Sequence, residues 1–72
     1  YDLPRNSMVN ITIYDMMGRK VKTLANSFQN AGFKLLQWNA TDEKNKPVSA
    51  GLYIYVIQAG EFKQNKKMVL LK

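Results

Sequence analysis

The stretch Gly51-Leu52-Tyr53-Ile54-Tyr55-Val56-Ile57-Gln58-Ala59-Gly60-Glu61-Phe62 decides the fold. Its first nine residues are almost all β-branched, aromatic or aliphatic, and they alternate with period two, as a strand requires. Tyr53, Tyr55 and Ile57 point one way, and Leu52, Ile54 and Val56 point the other. Because both faces are apolar, the segment reads as a central strand or as one whose outer face meets a partner. Gly60-Glu61 follows as a two-residue hairpin turn, so residues 62–71 should return as an antiparallel last strand.

Upstream, the same alternation appears over residues 8–14, where Val9, Ile11 and Ile13 share a face and Asn10 and Thr12 occupy the other. Asp15-Met16-Met17-Gly18 interrupts it, and Gly18 is placed to supply a positive φ at a tight turn. Residues 20–25 then read as the second arm of a hairpin. The cluster of Asn, Ser, Gln and Gly over residues 26–32 reads as a loop. Residues 33–39 read as a further strand, with Leu36 and Trp38 on its apolar face. Residues 40–47 are polar and turn-rich, with Asn45 able to take the left-handed conformation. Tyr1-Asp2-Leu3 before Pro4 looks like the tail of a strand that begins upstream. Turn signals every ~8–12 residues and the lack of a helical period suit an all-β sandwich or barrel. The predicted core is Val9, Ile11, Ile13, Leu36, Trp38, Tyr53, Tyr55 and Ile57.

At 72 residues the chain accommodates one domain, spanning 1–72. A domain of this size buries only about 60% of its unfolded surface. A hydrophobic content of 46% is enough for a packed core. The first residue is Tyr1 rather than Met, which suggests a piece of a longer protein. No stretch approaches the ~18 apolar residues of a membrane-spanning helix.

The composition removes most chemistry. With no Cys and no His, there are no thiolate ligands, no disulfides, and neither the commonest general base nor the commonest transition-metal ligand. Ser7, Ser27 and Ser49 have no His to activate them. The acids Asp2, Asp15, Asp42, Glu43 and Glu61 all lie in or beside expected turns, where turn chemistry accounts for the Asp residues. The reading is therefore non-enzymatic, with no catalytic residue, cofactor or metal assigned. Asp42, Glu43 and Asn45 could offer oxygens to calcium, but the loop lacks the ligand density of a calcium motif.

The net charge of +6 suits nucleic acid, an anionic membrane surface or an acidic partner. Against nucleic acid, Tyr53 and Tyr55 are interleaved with Leu52, Ile54 and Val56 rather than with cations. The lysines are scattered over turns and outward positions, as edge protection predicts. Trp38 could stack on sugar, but its alternation with Leu36 favours the core. No nucleic acid and no small-molecule substrate are expected. The run Lys66-Lys67-Met68-Val69-Leu70-Leu71-Lys72 reads either as an edge strand ending in a charge or as an address that another protein recognises.

Taken in order, the phrases VNITIYDMMGRKVKTL (9–24), NAGFKLLQWNATD (30–42), PVSAGLYIYVIQAGEF (47–62) and KKMVLLK (66–72) cover nearly the whole chain. Together they closely resemble the C-terminal sorting domains of the type IX (Por) secretion system. They are also similar to the Ig-like domain of the flagellar hook-capping protein FlgD. The resemblance implies an all-β, Ig-like antiparallel β-sandwich of seven strands, the first truncated at Tyr1, at the C-terminus of a larger secreted bacterial protein. Its partners would be an outer-membrane translocon, a surface sortase and an upstream cargo domain. Its destination would be the cell surface or the medium, by way of the periplasm and outer membrane. By position the resemblance assigns a turn motif to Asp15, Gly18 and Arg19, and a mid-chain motif to Ala31, Gly32, Trp38 and Asp42. It assigns a late hairpin motif to Gly51, Tyr53, Tyr55, Ala59 and Gly60. The recognition signal would be Lys66, Lys67, Met68, Val69, Leu70, Leu71 and Lys72. Two departures stand out: Asn39-Ala40 replaces the usual Asp-Gly after the Trp, and Asn45 stands where Gly is common. The alternatives to a sorting signal are a FlgD-like structural module and a passive accessory domain of a secreted hydrolase.

Overall fold

The computed structural model describes residues 2–33 and 37–71, the side chain of Asp2 excepted. Six strands form: β1 (Asp2–Leu3), β2 (Ser7–Asp15), β3 (Lys20–Gln29), β4 (Gly32–Phe33), β5 (Gly51–Ala59) and β6 (Phe62–Leu70). No helix occurs among the described residues. The main sheet is four-stranded and antiparallel, in the order β3-β2-β5-β6, and β1 pairs with β4 in a second, two-stranded sheet. The chain is thus all-β and of Ig-like type.

Composition explains the strand order. The two central strands, β2 and β5, carry the densest runs of Val, Ile and Tyr, as strands flanked on both sides should. The two edge strands carry the lysines and amides: Lys20, Lys22, Asn26 and Gln29 on β3, and Lys63, Gln64, Asn65, Lys66 and Lys67 on β6. Charged, polar edges resist pairing with other chains.

Register sets the faces. Val9, Ile11 and Ile13 lie opposite Ala59, Ile57 and Tyr55, so their side chains share the inner face. Val9, Ile11, Ile13, Tyr53, Ile57 and Ala59 are buried there. Leu3 of β1 packs against Val9, Ile11, Ile57 and Ala59 and is only 2% exposed, so the residue read as a strand's tail belongs to the core. Tyr55 and Trp38 are half-buried. Leu36 lies outside the described residues. The outer face carries Thr12, Tyr14, Ile54, Val56, Leu52 and Val69. There Ile54 and Val56 are half-buried and Leu52 is 44% exposed.

Two expectations change. Of residues 26–32 only Asn30 and Ala31 are a connection: Asn26, Ser27, Phe28 and Gln29 continue β3, pairing with Asn10, Val9, Met8 and Ser7, and Gly32 begins β4. Their polar composition is that of an exposed edge, which sequence reading mistook for a connection. Residues 33–39 do not form one strand. Phe33 pairs within β4, residues 34–36 lie outside the described residues, and Gln37-Trp38-Asn39 is irregular. The β5–β6 hairpin forms as expected, with Ala59 opposite Phe62 and Gly60 at φ 60° in the first loop position, where a type II′ turn places glycine.

Candidate functional site

The turn motif is a hydrogen-bonded unit. Asp15 N donates to Arg19 O (3.0 Å) and Gly18 N to Asp15 O (3.0 Å), while Asp15 Oδ1 accepts from Met17 N and Arg19 N, each at 2.9 Å. Arg19 Nε donates to Asp15 Oδ2 at 3.0 Å, closing an ion pair. Gly18 has φ 82°, which closes the loop with a left-handed residue. These donors favour the ionised carboxylate. The Arg19 backbone N–H first, then the Arg19 side chain and the Met17 N–H, hold Asp15 below its usual range against a smaller opposing effect of desolvation.

The same turn is built a second time: sequence reading expected a turn here with Asn45 left-handed but missed that it repeats the first. Asp42 N donates to Lys46 O, Asn45 N donates to Asp42 O, and Asp42 Oδ1 accepts from Lys44 N and Lys46 N, all at 2.9–3.0 Å. Asn45 takes the place of Gly18, at φ 61°. The pattern Asp-x-x-Gly/Asn-Arg/Lys was the available signal. Backbone bonds, led by the Lys46 N–H, again hold the carboxyl low. Thr41 and Pro47 form a bridge around this turn.

The second turn is docked onto β3. Glu43 N donates to Val21 O (3.1 Å), Thr23 N donates to Glu43 Oε1 (2.7 Å), and Lys22 Nζ donates to Thr41 Oγ1 (3.0 Å) and Asn45 Oδ1 (3.2 Å). One carboxylate oxygen each of Asp42 and Glu43 already accepts backbone N–H bonds, and an ammonium group lies against Asn45 Oδ1. This arrangement does not suit a cation.

Trp38 is held by its Nε1 donating to Thr41 O (2.9 Å) and by an edge-on contact with Tyr53, with ring centroids 5.2 Å apart. Tyr53 in turn donates its hydroxyl to Ser49 O at 2.6 Å. This is structural anchoring, with both indole N–H and phenol satisfied. One flank of Trp38 lines a shallow groove with Lys22, Leu24, Gln37 and Asn39. Gly32 opens β4 opposite Leu3, Gly51 opens β5 opposite Leu70, and Ala31 N donates to Asn6 Oδ1 at 2.6 Å.

The C-terminal run occupies β6. Tyr53, Tyr55 and Gly51 lie opposite Met68, Lys66 and Leu70, so these three β6 residues face the inner side, where Met68 and Leu70 are half-buried. Lys67 and Val69, opposite Ile54 and Leu52, face outward. Lys66 and Lys67 are both exposed but project from opposite faces, because successive strand residues alternate. Leu71 is exposed beyond the strand, and Lys72 lies outside the described residues.

Strands β1 to β5, the two Asp-centred turns and Trp38 all lie within one stretch that a family model matches. The family model described as the FlgD Ig-like domain matches residues 1–61, from the start of the chain through the β5–β6 turn. No curated protein and no solved structure matches the chain. With most of its length matched, the chain belongs to the FlgD Ig-like domain family.

Proposed function

We propose that the domain is a non-catalytic C-terminal sorting signal that directs a larger secreted protein through a type IX system to the cell surface or medium. The supporting observation is the presentation of β6. It is an edge strand seated by Met68 and Leu70, with Lys66 and Lys67 exposed on opposite faces and in no ion pair among the described residues. A receptor gripping that edge would meet one cation on each side of it. The resemblance of the terminal phrase 66–72 to sorting domains supports the same reading. The partners would be the outer-membrane translocon, a surface sortase and the upstream cargo.

A second reading, a structural Ig-like module, is supported by the family match, whose span ends before β6. A reporter fused ahead of the domain separates the two in a type IX-competent host. Replacing Lys66 and Lys67 by Gln, singly and together, changes charge with a stability effect of about 0.5 kcal/mol or less. The sorting reading expects the double variant to stay folded and accumulate in the periplasm, with the single variants showing whether one face or both are read. Normal surface delivery of the double variant removes the lysines from the signal. Normal delivery with the whole domain deleted leaves the structural module.

A further inference from the structure

The β2–β3 turn is closed by Asp15, Gly18 and Arg19, and Met17 contributes only its backbone N–H. The side chains of Met16 and Met17 have no part in closing it, yet both are methionine and they are 53% and 80% exposed. Register places further exposed apolar groups at the same end of the sheet. Asp15 pairs with Tyr53 and Tyr53 with Met68, so Leu52, Val69 and Leu71 lie at the level of the turn, and they too are exposed.

Cations surround this apolar end. Arg19 and Lys20 follow the tip directly, Lys67 lies in the same cross-strand row as Ile54, Tyr14 and Lys20, and the second turn, which carries Lys44 and Lys46, docks through Glu43 N on Val21 O. All five are exposed. Three carboxylates lie nearby: Asp15 is paired with Arg19, while Asp42 and Glu43 accept backbone N–H bonds and keep their charge, so the cations remain in excess. Lys20, Lys44, Lys46 and Lys67 form no ion pair among the described residues.

Independently of the sorting reading, we propose that this end of the sandwich docks on an anionic lipid surface, with Met16 and Met17 entering the headgroup–acyl boundary and the lysines neutralising the headgroups. The tip lies past the last β2–β5 pair, Asp15 with Tyr53, and level with the β5–β6 pairs Leu52–Val69 and Gly51–Leu70. An exposed pair of flexible, unbranched thioethers adapts to a deformable surface. Apolar insertion combined with basic attraction is the pairing that gives reversible, salt-sensitive membrane binding.

The test is cosedimentation of the chain with phosphatidylcholine vesicles, with and without about one-third phosphatidylglycerol. Binding is expected only to the anionic vesicles and should weaken as salt rises from about 0.05 M to about 0.5 M. Met16→Asn with Met17→Asn should weaken it at least ~10-fold. Lys20→Gln and Lys67→Gln should each cost about fivefold. A Lys63→Gln variant, altered at the far end of β6, should bind within about twofold of the parent. Because the chain has no cysteine, a dye on Met17→Cys reports insertion directly by a blue shift on anionic vesicles. Equal binding to neutral vesicles, no loss in the methionine variant, or no dye shift overturns the proposal. Retention on polyglutamate without vesicle binding also overturns it and reassigns this end to an acidic protein.

Discussion

Ala40 is the residue whose replacement tests the turn chemistry most sharply. It sits at φ 61°, in the left-handed region. An L-residue with a Cβ strains there by about 1–2 kcal/mol. Changing Ala40 to Gly relieves that strain but gives the unfolded chain more freedom, which takes back about 0.4–1 kcal/mol. Ala40 is half-buried, so losing part of a methyl contact takes back a further ~0.4 kcal/mol. The balance is a gain of about 0.5 kcal/mol, or a rise in Tm of about 2–4 °C for a domain of this size. Ala40→Val should move the other way, because a β-branched residue is a genuine outlier at positive φ. Asn45→Gly is the comparison. Asn tolerates the left-handed region, so little strain is relieved there. The change also removes the Lys22–Asn45 hydrogen bond and frees the unfolded chain, so the melting temperature should not rise. Thermal and urea melts monitored by the fluorescence of Trp38 would read all three. The urea slope should stay constant, since the surface exposed on unfolding hardly changes. The Val48 N to Ala40 O hydrogen bond should survive in each variant. If Ala40→Gly destabilises the domain as much as Ala40→Val does, the strain argument is wrong and the Ala40 methyl is a packing contact.

Two further outcomes follow from the sheet and the turns. Ile57→Ala, in the core at a central position of β5, should cost about 2–5 kcal/mol and unfold much of the population near 37 °C, whereas Ile54→Lys on the outer face should leave a cooperative melt. Loss of the fold in Ile54→Lys would place Ile54 in the core instead. The depressed carboxyl groups of Asp15 and Asp42 contribute stability above their unfolded value of about 3.8, and it is lost as pH falls below that value through the lower folded values. The urea midpoint of the parent should therefore drop between pH 5 and pH 2. A doubly substituted Asp15→Asn, Asp42→Asn chain should show a flatter profile, and an unchanged slope refutes the turn assignment.

Much of the architecture is local in origin and could be read from the chain alone. The alternation over residues 8–14 and 52–59, the Gly60-Glu61 turn and the Asp15–Arg19 motif each encode their conformation within a few residues. Strand period and turn chemistry depend mainly on near neighbours, so all-β character, both hairpins and most of the inner-face residues followed from them. The Asn at position 45 was read as left-handed for the same reason. Even the opposed directions of Lys66 and Lys67 are a consequence of period two.

What tertiary structure alone decided depends on partners distant in sequence. Asn26 to Gln29 has the composition of a loop, and it is a strand because β2 offers it an unpaired edge. Leu3 enters the core because β1, only two residues long, pairs with β4 and is carried over the inner face. The second Asp-centred turn finds its place through Glu43, Lys22 and Thr41 meeting across nineteen or more residues, contacts with no periodic trace. The gathering of Met16, Met17, Leu52 and Val69 at one end likewise exists only once β2, β5 and β6 lie side by side in register. Backbone preference acts over a few residues, but sheet order and docking are chosen by burying whole faces together, and that choice is made by the folded chain as a unit.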